Sequence, residues 1–353
     1  MDVRYNMINW VHRSTRGWSY GTSVVDPRTG EIIKGHVLLG SLRVRQDYLI
    51  AEGLLSPYKD GESYQERNPM LEMALARIRQ LSAHEIGHTI GLAHNFAAST
   101  NNRASVMDYP APKVGITQDS TLDLSNAYDT GIGEWDKVAV EYGYRDLTGL
   151  PSKEAALDGI INEAIDDGLQ FISDADARPA GGAHPKAHLW DNGSNAVDQL
   201  HHILDVRDIA LENFSESNIP QGEPMAKLED ALVPIYLYHR YQIDATVKLI
   251  GGQSYSYNLR GGDRPGPNPV PDKTQRAALD AMLQTLQADV LAMPQKIVDL
   301  IPPRPIGYYD SRELFNSHTD PTFDPLGAAE TAAAMSSKLL FNSNRAARLV
   351  AAE

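Results

Sequence analysis

Residues 84–94 read HEIGHTIGLAH, three histidines, one glutamate and a glycine at the spacing that a hydrolytic metal site needs. His84 and His88 are four residues apart, so on a helix they share a face and point at one cation. Glu85 lies about 100° round the helix from His84, which keeps it off the metal and free to take a proton from water. Gly91 follows where the helix can end, because glycine takes the left-handed conformation without steric cost. The chain then turns back, and His94 is the third candidate ligand. Three neutral imidazole nitrogens leave one tetrahedral position for solvent, the arrangement of a catalytic rather than a structural zinc. One Zn²⁺ ion is therefore the expected cofactor.

The scaffold for these ligands is legible just upstream. Asn68 is placed to cap a long helix with Pro69 at its first position, and Leu71, Leu75, Ile78 and Leu81 recur at helical spacing. Further upstream, Thr22–Val25 and Glu31–Leu39 are β-rich and flank Asp26-Pro27-Arg28-Thr29-Gly30, which predicts a hairpin. Val3–Trp10 has mixed periodicity, and Val44–Leu55 reads as a helix. Asn95–Ser125 is rich in polar and turn residues, and Gly133–Tyr142 resumes helical spacing with Trp135, Val138, Ala139 and Tyr142 on one side.

From Pro151 onward the pattern is helical. The predicted helices are Ser152–Ile172, Ser194–Phe214, Met225–Ile250, Lys273–Met293 and Gly327–Val350, with a Pro/Gly-rich loop at Gly261–Pro271 and β-alternation only at Tyr255–Leu259. His201, His202 and His239 fall inside these helices at spacings that do not suggest ligation. The Asp191-Asn192-Gly193 turn precedes Ser194 as the expected cap.

Composition limits the partners. The chain has 353 residues, 42% of them hydrophobic, enough for one large or two moderate domains. A formal net charge of -14 argues against nucleic acid or an anionic membrane as partner. No run reaches the length of a membrane span. The absence of cysteine excludes disulfides, thiolate ligands and a cysteine nucleophile. The opening MDVRYNMINWV lacks the pattern of a secretory signal and reads as the interior of a longer protein.

Ser105–Pro110 reads SVMDYP, and with the extended histidine motif it resembles the metzincin clan of zinc endopeptidases. The resemblance implies that Met107 forms an apolar floor beneath the histidines and that Tyr109 stabilises the oxyanion. It also implies an edge strand above the metal that pairs with extended substrate, for which Gly35, His36, Val37 and Leu38 are the candidates. GWSYGTSVVDPRTGEIIKGHVLLGS, GEWDKVAVEYGY, HLWDNGSN and LVPIYLYHRYQ are together similar to a family of large bacterial zinc-dependent metalloproteases. Members of that family carry a signal peptide and a further N-terminal domain, which implies an extracytoplasmic parent protein. The expected fold is α+β: residues 1–148 as a metzincin-like catalytic domain with a small twisted sheet, a long active-site helix and an irregular lower subdomain holding the methionine turn, and 149–353 as an α-helical domain. The expected function is peptide-bond hydrolysis with Glu85 as general base and acid, acting on peptide or protein substrates. A catalytically silent zinc-binding scaffold and a hydrolase of non-peptide amides are the alternatives.

Overall fold

The hairpin forms where alternation and turn chemistry place it. The structure, a computed structural model, describes residues 4–13, 17–59, 68–261, 264 and 266–352. Strand β1 (Met7–Val11) is followed by β2 (Tyr20–Val25) and β3 (Ile32–Gly40). β2 and β3 pair antiparallel from Tyr20 opposite Leu38 to Val25 opposite Ile32, and Gly30 closes the turn with φ 77°. β1 runs parallel to β3, with Met7 opposite His36 and Val11 opposite Gly40. The segment expected to be ambiguous near Val3–Trp10 is thus a strand, although Val3 itself lies outside the described residues.

The strand order β1-β3-β2 corrects one expectation. β3 is the middle strand, so the main-chain groups of Gly35, His36, Val37 and Leu38 are already used by neighbours on both sides and offer no edge to a substrate. Val37 and Leu39 point inward and pack against Leu81, and His36 is bonded to Asn9 at 2.7 Å. The free edge on the side of the histidines belongs to β2.

Helix α2 (Pro69–Thr89) packs against β2 and β3, and helix α1 (Leu42–Leu55) packs on α2. The Asn68 side chain accepts from Met70 N and Leu71 N, and Pro69 occupies the first turn, as its missing N–H allows. The buried face of α2 is Met70, Met73, Ala74, Arg77, Leu81 and His84. Leu71 and Leu75, expected to face the core, are 41% and 40% exposed. The helix is rotated because Met70 and Met73 pack with Ala51 and Leu54 of α1, so the polar Arg77 takes a buried position.

α3 (Glu134–Tyr144) follows an irregular stretch containing one pair of two-residue strands, Gly115–Ile116 with Leu122–Asp123. Trp135 faces inward as expected, whereas Tyr142 is 46% exposed. The remaining helices are α4 (Lys153–Asp166), α5 (Asp174–Ala177), α6 (Ala196–Glu212), α7 (Leu228–Tyr236), α8 (Arg240–Val247), α9 (Asp272–Gln284), α10 (Ala288–Leu291), α11 (Gln295–Val298), α12 (Pro325–Leu340) and α13 (Ser343–Ala351).

Long predicted helices are therefore broken into shorter ones, each for a local reason. Ser152–Ile172 ends early at Gly168, which takes φ 88°. Asn195, not Ser194, caps α6 through Val197 N and Asp198 N. Met225–Ile250 is split into a 3-10 turn, α7 and α8, with Pro234 inside α7 unable to donate to the helix. Lys273–Met293 yields α9 and α10. Gly327–Val350 breaks at Phe341, after which Asn342 caps α13 and competes with continuation of α12. Tyr255–Leu259 is not a strand; two residues, Gln253–Ser254, pair instead with Asn268–Pro269. In the loop between those two segments, residues 262, 263 and 265 lie outside the described set.

One apolar core joins the two halves of the chain. Ala51 and Leu54 of α1 and Met70 and Met73 of α2 pack with Val206, Leu232 and Ile235 of α6 and α7. Segments on either side of residue 148 thus bury each other. Among the described residues no helix is long and apolar enough to cross a membrane.

Candidate metal centre

The last turns of α2 bring His84 and His88 to one face, and the backbone does the rest. Leu92 N bonds back to Gly87 O at 3.0 Å while Gly91 takes φ 89°, so the chain reverses and carries His94 over the helix end. A side chain at Gly91 would meet nothing, so its requirement is conformational. Gly87 is different: a Cβ there would lie 2.3 Å from Met107 Sδ. Met107, 1% exposed, fills that gap and floors the helix between the two histidines. Sequence spacing did not single out Gly87.

His88 Nε2 stands 3.2 Å from His84 Nε2 and 3.1 Å from His94 Nε2. Each ring's other nitrogen is already engaged: His84 Nδ1 with Val106 O at 2.7 Å, His88 Nδ1 with Leu92 O at 2.9 Å, and His94 Nδ1 with the Asp174 carboxylate at 2.9 and 3.0 Å. Those partners only accept, so every Nδ1 carries the proton and every Nε2 presents a lone pair. Three lone pairs aimed at one another repel unless a cation sits among them. The donor set, neutral nitrogen throughout with anchored second nitrogens, suits zinc. Burial, and then the charge of neighbouring His88, push His84 down to about 3, which keeps it a neutral ligand. His94 is lowered too, by burial acting against the Asp174 bond. Among the described residues these three form the one group able to hold a metal ion, and His202 is instead bonded to Val114 O. His239 is buried at the start of α8.

Glu85 lines a cavity of about 820 Å³ together with His84, Tyr109 and Trp190. β2 crosses α2 so closely that a Cβ on Gly21 would fall 1.9 Å from Glu85 O. Burial lifts the Glu85 carboxyl to about 7, while the Gly21 N–H and the charge of Arg77 pull the other way. Tyr109 sits over the histidines, its ring centre 5.4 Å from His84 and 4.9 Å from His94. Its hydroxyl oxygen accepts from Arg178 Nη2 at 3.0 Å. Trp190, held at φ 59°, stacks beside Tyr109 and against Tyr241, so the cavity wall contains a strained backbone position.

No local sequence signal marks Asp174 or Arg178. They lie on α5 and just after it, 80 and 84 residues beyond His94 in sequence, with no motif to mark them. Burial opposes it, but the bonds from Arg178 and His94 hold the Asp174 carboxyl below the usual range. Its role is to fix the His94 ring and raise that nitrogen's basicity. Asp174→Ala is expected to weaken zinc binding by roughly 10- to 100-fold. Competition with a calibrated zinc chelator measures this, and an unchanged affinity would show that Asp174 does not orient His94.

A histidine pair on a helix, a third histidine beyond a glycine reversal and a methionine beneath them define a metzincin-type metal centre. The chain belongs to the Met-zincin family, whose model matches residues 66–353. The match continues through the helical half that supplies Asp174, and begins after the sheet. No curated protein and no solved structure matches the chain.

Proposed function

We propose that the protein is a zinc-dependent endopeptidase. The observation that carries this reading is the convergence of three anchored Nε2 atoms, with the buried Glu85 carboxylate lining the same cavity as His84. A zinc ion held by His84, His88 and His94 supplies the Lewis acidity that makes water nucleophilic near neutral pH. Glu85 takes a proton from the attacking water and delivers it to the departing amine. Tyr109 has its oxygen engaged by Arg178, so its own proton is directed outward and can bond the oxyanion of the tetrahedral intermediate. Trp18 and Ser19 lead into β2 and border the cavity, so extended substrate would lie along that strand's edge rather than along β3.

The test is direct. Zinc-loaded protein is expected to cleave casein and to lose that activity on chelation, with metal content followed by elemental analysis. A folded sample with one bound zinc per chain and no cleavage would favour the silent scaffold. Turnover of small amides without peptides would favour the non-peptide hydrolase.

A further inference from the structure

The cavity beside Glu85 is electrostatically opposite to the molecule around it. The chain carries a net charge of -14, yet seven arginines and only three carboxylates line this space. Ion pairs engage Arg45 with Glu313 at 2.7 Å, Arg43 with Asp47 at 2.9 Å, and Arg178 with Asp174. Arg240 has no carboxylate partner among the described residues; it stacks on Tyr241 at 4.7 Å and reaches the Leu237 carbonyl.

The decisive pair lies deeper. Arg77, on the buried face of α2 two turns before Glu85, is 4% exposed. It donates through Nη1 to Gln80, a neutral group, and its Nε has no partner. Arg43 of α1 shares the pocket; its Nη2 bonds Asp47 Oδ1 at 2.9 Å, and its Nε is likewise buried without a partner. Asp47 also accepts from Tyr128 at 3.0 Å, while its Oδ2 is unpartnered. Asp47 is thus shared between Arg43 and the field of Arg77, and Glu85, the other carboxylate that acts on Arg77, belongs to the catalytic side of the same cavity. Burial and the neighbouring Arg43 charge lower Arg77 to about 10, so it stays cationic at neutral pH.

We propose that this arginine-lined recess is a substrate subsite for a carboxylate, in which Arg77 and Arg43 bond an acidic group of the peptide while Glu85 and the histidines act on a nearby amide. A guanidinium matches a carboxylate in shape as well as charge, and Arg77, which donates to the neutral Gln80, lines the cavity. The proposal rests on the peptidase reading. The carboxylate has two sources, an Asp or Glu side chain next to the cleaved bond or the C-terminus of a short peptide.

One set of quenched fluorescent peptides separates the possibilities. On a single scaffold, Glu, Gln and Lys are placed in turn at each position flanking the cleaved bond, and each peptide is made as the free acid and as the C-terminal amide. Glu is expected to exceed Gln in kcat/KM by about tenfold or more at one position, with Lys worst. Arg77→Gln is expected to bring the Glu-to-Gln ratio close to one; the ratio is the readout, because loss of the Arg77 charge beside Glu85 changes the turnover of both peptides together. Because Arg77 is buried, the wild-type ratio stands as the test if that variant does not fold. A preference that follows the free acid over the amide assigns the recess to the C-terminus, and one that follows the Glu side chain assigns it internally. Equal cleavage of Glu and Gln peptides, acid and amide alike, overturns the subsite and leaves the peptidase reading intact. If no peptide is cleaved, anisotropy of the labelled peptides on zinc-loaded protein decides: tighter binding of Glu than Gln supports the subsite without the peptidase, and equal binding overturns it.

Discussion

Glu85→Gln is expected to lower peptide turnover by roughly 10²- to 10⁴-fold while zinc remains bound at one ion per chain. The substitution is nearly isosteric, and an amide oxygen can still accept from the Gly21 N–H, so the crossing of β2 over α2 is retained. What disappears is the group that takes and returns a proton. Zinc affinity is expected to change little, because Glu85 is turned about 100° from His84 and coordinates nothing. Two readings must therefore separate: elemental analysis gives near-normal zinc, and kcat/KM collapses. Turnover within a few-fold of wild type would remove Glu85 from the chemistry, and loss of zinc would mean that its role is structural.

The parts of this site that could be read from the chain are those encoded within a few residues. Helix periodicity relates His84 to His88, a glycine marks the reversal and His94 lies three positions on, so eleven consecutive residues contain the donor set. The hairpin was legible for the same reason, since Asp26–Gly30 is a turn in its own right. Strand order was not legible, because nothing in Gly35–Leu38 reveals that a parallel strand, β1, will occupy its second edge. The helix face was misjudged at Leu71 and Leu75 because α2 carries apolar residues on more than one side, and packing against α1 selects Met70 and Met73. Asp174, Arg178 and Asp136 act across 30 or more residues, by tertiary placement alone. The long helices of the second half were read as continuous because amphipathic spacing persists through Pro234 and Phe341, whereas the local breaks depend on caps such as Asn342.

The methionine turn depends on one such distant residue, and Asp136→Ala is expected to destabilise the protein by about 3–5 kcal/mol. Asp136, in the first turn of α3, is 1% exposed. Its Oδ1 accepts from Ser105 Oγ at 2.6 Å, and its Oδ2 from Val106 N at 2.8 Å and Gly133 N at 2.7 Å. Alanine leaves the Ser105 hydroxyl and the Val106 N–H buried without an acceptor and also frees the half-buried Gly133 N–H. The damage then travels along bonds already described. Ser105 Oγ receives Met107 N at 2.9 Å, and Val106 O accepts from both Gln80 Nε2 and His84 Nδ1. A shift of the Ser105–Met107 segment therefore moves the methionine floor and releases the His84 ring, so zinc affinity should fall together with stability. Asp136→Asn keeps one acceptor oxygen and is expected to lie between alanine and wild type. Urea unfolding of the metal-free protein isolates the stability loss, and chelator competition isolates the metal effect. If Asp136→Ala unfolds within about 0.5 kcal/mol of wild type, the turn is held by its own backbone and apolar contacts, and the coupling from α3 to the histidines does not exist.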